Sequence, residues 1–224
     1  MAKRIPLSQR LLPNYTRGEE LMNMITHIVG GGFGVLALVL GLVRTVPGAA
    51  PLPILGVLIY GLSLIALYTV SSVYHGLHPG MGKKVMQVID HCTIYALIAG
   101  TYTPVLISAF LPQNPPLGWS LLALEWILAA IACTLTAIDL RKFRVFSMIC
   151  YIGMGWAILP FWRQTAQYIG TPGFVLLLLG GISYTVGAIL YGIGSKRPWF
   201  HSVFHIFVVL GSLLQFLSIF FYVL

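Results

Sequence analysis

The chain has 224 residues, of which 58% are hydrophobic and only 8% charged, and a formal net charge of +8. A soluble domain carries about 25% charged residues, so the composition excludes a water-soluble globule and indicates an integral membrane protein. The length holds roughly seven spans of about 20 residues with short connections, and no separate soluble domain.

Residues 1–20, MAKRIPLSQRLLPNYTRGEE, are basic and polar, without the apolar centre or cleavage site of a signal peptide, and read as a cytosolic tail. The membrane domain fills 21–224. Apolar runs bounded by charge, Pro and Gly predict spans at about 21–44, 52–77, 85–111, 118–139, 143–162, 173–194 and 199–223. The expected fold is an all-α, seven-transmembrane helix bundle, multi-pass in the cell membrane. Its basic residues alternate by side. Lys3, Arg4, Arg10, Arg17, Lys83, Lys84, Arg141, Lys142, Arg144, Lys196 and Arg197 fall on one side, and only Arg44 and Arg163 on the other. Eleven against two places the N-terminus in the cytosol and the C-terminus outside. The same scatter argues against a nucleic-acid surface. Cys92, Cys133 and Cys150 lie inside apolar runs and read as unpaired thiols.

Polar residues inside such runs are expensive, so each needs a reason. Glu20, Asn23 and His27 share one helical face at the start of the first span, where they either cover a site or face headgroups. The second span ends in SSVYHGLHP, with Ser71 one turn before His75 and with His78 at the water boundary. Asp90 lies about two turns into the third span, where it either pairs with Lys83 or Lys84 or serves a site. Pro104 is expected to bend that span. Glu125, near the opposite face, is expected to pair with Arg163 or Arg44. In the last span His201 and His205 stand four apart in HSVFH, so both imidazoles face one way. The glycine runs GGGFG and GGISYTVGAILYGIG suit close helix contact; neither follows a strand, as a phosphate loop would.

The predicted topology brings His75, Asp90, His201 and His205 to one layer, roughly 5–10 Å below the inner boundary at 1.5 Å per residue. Two histidines at that spacing bind one divalent ion well, and His75 can add a third nitrogen. Three nitrogens leave a fourth tetrahedral position for water, the pattern of a catalytic zinc site.

These segments resemble the hemolysin III family, the bacterial branch similar to the adiponectin and progestin receptors. GEELMNMITHIVG, SSVYH, DHCTIYALIAGTYTP and HSVFH carry the resemblance, in order, along nearly the whole chain. It implies Zn2+ held by His75, His201 and His205, with catalytic Asp90 beside the zinc-bound water and Ser71 next to it. It also implies kinship with alkaline ceramidases, membrane hydrolases of lipid amides. The expected function is therefore hydrolysis of an amide or ester in a membrane lipid, which is the expected partner. The alternative is a receptor-like or regulatory protein with a structural zinc. A cytolysin fits less well, because pore formers travel in soluble form.

Overall fold

The computed structural model describes residues 6–48, 51–194 and 197–224; Lys3, Arg4 and Lys196 of the basic count lie outside them. The described residues form α1 (Arg17–Thr45), α2 (Pro51–Gly76), α3 (Met81–Val105), α4 (Pro115–Ile138), α5 (Arg144–Gly155), α6 (Trp162–Gly194) and α7 (Phe200–Ser218), with no strand among them. Helix α1 packs on α2 and α7, α2 on α3, α3 on α4, and α6 on α7. Large apolar side chains fill the interior, among them Leu64, Tyr68, Leu106 and Phe110, yet others such as Val29, Val43, Ile127 and Ile131 stand exposed on the outside. A surface this apolar belongs in hydrocarbon.

Six helical stretches are long and apolar enough to cross a membrane. The difference from the seven expected spans lies in residues 144–193, which form one apolar stretch of 50 residues where about 20 suffice. Within that stretch the chain reverses. Gly170 sits at φ 72°, a left-handed backbone that glycine adopts without strain, and the Trp156 indole donates to the Thr185 hydroxyl at 3.0 Å across the bend. Beyond it, the second part of α6 runs beside α7, with Gly173 facing Tyr222 and Gly187 facing Phe204 and Phe207.

Helix α1 starts at Arg17, not at 21, because Thr16 and Glu19 form a reciprocal capping box. In α3 the missing donor of Pro104 is followed by a wider π-helical turn, Leu106–Phe110, where Leu111 N–H reaches Leu106 O at 2.9 Å. The GGGFG run does bring helices together. A Cβ on Gly30 would lie 2.5 Å from the Tyr68 ring and one on Gly34 would lie 3.2 Å from Leu64, whereas one on Gly32 meets open space. Gly30→Ala is therefore expected to destabilise by about 1–3 kcal/mol, as overpacking does, and Gly32→Ala to be close to neutral. Thermal unfolding in detergent checks the pair, and equal melting temperatures would refute the tight seam.

Candidate metal centre

The adjacent glutamates of the first turn of α1 position the site. Glu20 Oε2 accepts from His75 Nδ1 of α2 at 2.6 Å, and Glu20 Oε1 accepts from Lys83 Nζ of α3 at 2.6 Å. Lys83 is 4% exposed and also donates to Leu77 O at 3.0 Å. Glu19 Oε1 accepts from the backbone N–H of Trp199 at 2.7 Å. Trp199 holds φ 68° at the N-cap of α7, costly for a bulky residue, so this bond fixes how α7 starts, two residues before His201. Asn23, fully buried, accepts from Ser202 at 2.6 Å and stands 3.4 Å from His75 Nδ1.

His75, His201 and His205 meet there. Their ligand atoms lie within 4.8 Å of one another. His201 Nε2 stands 3.4 Å from His75 Nε2 and 3.1 Å from His205 Nε2. A carboxylate only accepts, so the proton of His75 is assigned to Nδ1, and its Nε2 carries a lone pair. Neutral imidazoles that turn their Nε2 atoms together repel one another unless a cation or shared proton sits between them. Tetrahedral Zn–N bonds of about 2.05 Å put ligand nitrogens about 3.3 Å apart. The donor set fits a divalent ion of that size. Among the described residues no fourth side chain joins the group.

The expected site residues divide between the two sides of the cluster. Ser71 and Asp90 line a cavity of about 160 Å³ together with His27, His91, His201 and His205. The expected pairing of Asp90 with a lysine is not seen among the described residues; Lys83 pairs with Glu20 instead. His78 is exposed, away from the cluster.

Glu20, Asn23 and His27, left open by the sequence, all belong to the centre. His27 stacks on His205, centroids 3.8 Å apart and planes 20° from parallel, and both of its buried ring nitrogens lack a hydrogen-bond partner. Sequence reasoning missed Tyr15, whose ring stacks on His201 at 4.8 Å; no spacing pattern points from the tail to α7. The expected pairing of Glu125 is corrected. Its carboxylate is 1% exposed without a hydrogen-bond partner, while Arg44 lies over Phe220 and Arg163 over Trp162. The nearby aromatic faces hold the two cations instead.

Removing Glu20 strands a buried ammonium. Glu20→Ala is expected to lower stability by about 2–3 kcal/mol, less than for a fully dry pair because Glu20 is partly exposed, and Lys83→Met in the same chain should recover most of it. Thermal unfolding of the single and double variants measures this; an unshifted Glu20→Ala would remove the ion pair from the stability of the site.

Residues 15–216 match the family model described as Haemolysin-III related. The chain is 37% identical over 206 residues to "Hemolysin-3" of Bacillus cereus, covering 92% of each chain. It is 35% identical to "Hemolysin-3 homolog" of Bacillus subtilis (strain 168), over 93% of this chain and 96% of the relative. A more distant relative is the human "Monocyte to macrophage differentiation factor", 27% identical over 72% of this chain and 67% of that protein.

Proposed function

This chain belongs to the haemolysin-III related family of multi-pass membrane proteins, and from that membership we propose that it is a zinc-dependent hydrolase of an amide or ester bond in a membrane lipid. The observation that carries the reading is the set of three imidazole nitrogens with no fourth protein ligand among the described residues, next to a cavity that holds Asp90 and Ser71. A structural zinc site is closed by four protein ligands, whereas a catalytic one keeps a position open.

In this reading His75, His201 and His205 hold the ion, with Glu20 orienting His75 as a carboxylate partner commonly does for a ligating histidine. A zinc ion bound there would supply positive charge that acidifies a water and polarises a carbonyl. Asp90 accepts the proton of the attacking water and returns it to the leaving amine or alcohol. Ser71, on the wall of the same cavity, orients the water or supports the developing oxyanion. The apolar walls take the acyl chain and keep water away from the rest of the lipid.

The chain is further read as crossing the membrane seven times, with its N-terminus cytosolic. The reversal inside residues 144–193 and the one-sided basic residues support this. A C-terminal alkaline phosphatase fusion is then expected to be active outside the cell and an N-terminal one inactive; the opposite pattern would overturn the orientation, and two ends on the same side would overturn the count.

The second reading, a regulatory protein with zinc clamping α2 to α7, is separated from hydrolysis by Asp90→Asn. For a hydrolase, zinc content and melting temperature persist while turnover of a ceramide-like acyl amide falls by about 10²–10⁴-fold, the worth of an acid/base group. Zinc loss on Asp90→Asn favours the clamp, and undiminished hydrolysis removes Asp90 from the chemistry. Elemental analysis of the same samples should give about one zinc per chain, absent from the His201→Ala, His205→Ala double variant and present in His78→Ala.

A further inference from the structure

The cavity that begins at the histidines does not end in hydrocarbon alone. It extends along α7 from His201 and His205 to Gln215. Ten residues at 1.5 Å rise put Gln215 about 15 Å from His205 along the helix axis. At that point a second, smaller cavity abuts the first, and Gln215 lines both.

The polar groups around this far end are satisfied by the protein, apart from one. The Thr101 hydroxyl donates to Leu97 O at 2.8 Å. Tyr102 OH donates to Gly155 O and accepts from Ile158 N–H, both at 3.1 Å. The Trp156 indole is bonded to Thr185. Among the described residues the Gln215 side-chain amide alone at this end has no partner, although it offers donors and an acceptor. Its place is made by a neighbour: a Cβ on Gly180 would lie 2.5 Å from Gln215 Cγ, so the absent side chain of Gly180 leaves the glutamine its room between α6 and α7. An unpaired amide facing an apolar cavity costs free energy unless something in the cavity bonds it.

We propose that Gln215 is a second polar contact for the ligand of this cavity, which is an elongated amphiphile carrying a hydrogen-bonding oxygen about 15 Å from the group held at the histidines. The inference rests on the reading of the cavity as the lipid site and narrows its substrate class, from any acyl lipid to one oxygenated along the chain. The apolar walls between the two polar ends accept methylenes without choosing among them. Gln215 discriminates, because an acyl chain without the oxygen leaves the partly buried amide unpaired against it.

The test compares stearate with a hydroxystearate carrying its hydroxyl at mid-chain. Each competes with a fluorescent fatty acid for the full-length protein in nanodiscs. Wild type is expected to bind the hydroxylated acid about tenfold more tightly, the scale of one buried hydrogen bond. Gln215→Met, close to isosteric, is expected to bind the two acids equally, with unchanged melting temperature and zinc content. Equal binding by wild type, survival of the preference in Gln215→Met, or binding of neither acid overturns the inference. Zinc measured on the same samples keeps the two readings apart: protein without zinc refutes the metal reading while the acid comparison still decides the role of Gln215.

Discussion

Charge placed in hydrocarbon has to be paired, and in this protein one turn of helix does the pairing for four helices. Glu20 ties α1 to His75 of α2 and to Lys83 of α3, and Glu19 ties α1 to the start of α7. Buried ionic pairs contribute little net stability, but removing one partner leaves a charge with nowhere to go. The geometry is therefore strongly specified even where the stabilisation is modest. His75 Nε2 points at α7 because Nδ1 is held by Glu20, and His201 faces it because Trp199, in a costly backbone conformation, is held by Glu19. The start of α1 is in turn set by the Thr16–Glu19 capping box, so the same glutamate ends the tail and aims α7.

Packing divides the bundle into a tight side and an open one. Gly30 and Gly34 let α1 sit against Tyr68 and Leu64 of α2, and Tyr68 reaches on to donate to Ser212 of α7 at 2.6 Å. The three helices that carry the donors and their carboxylate are thus locked to one another. Helix α5 is held otherwise, through contacts such as Tyr151 OH on His91 O and Tyr102 OH on Gly155 O. The cavity opens among α3, α5, α6 and α7 and is closed by His27 of α1 and Ser71 of α2. A rigid half that fixes donor geometry and a looser half that shapes the space is the division a binding site needs.

The sequence made the all-helical class and the histidine cluster legible for one reason: in a membrane, apolar length fixes depth, and depth brings distant residues to one layer. That logic reaches no further than depth. It reached a break at about 163–172, between the expected spans 143–162 and 173–194, but could not show that Gly170 in a left-handed backbone makes the bend there. It put Glu125 on the same side as two arginines without knowing that aromatic faces hold both. The stripe of Glu20, Asn23 and His27 gave a shared face but not the helix it meets, since spacing within one helix carries no information about the partner.

The cluster has a closed back and an open front. Behind it, Glu20, Asn23 and Lys83 hold His75, whose side chain is fully buried. In front, His201 and His205 reach a cavity with Asp90 and Ser71, and the wall runs on to the unpaired amide of Gln215. A metal that only clamps helices together gains nothing from such a front; apolar space beside it, with an unpaired amide in the wall, adds cost without adding a bond. The front has a use when a ligand fills it, because the ligand then supplies the apolar contacts and the hydrogen bond that the protein lacks. Hydrolysis of a lipid is the reading that accounts for both faces at once: the back fixes the donors, and the front receives the bond to be broken.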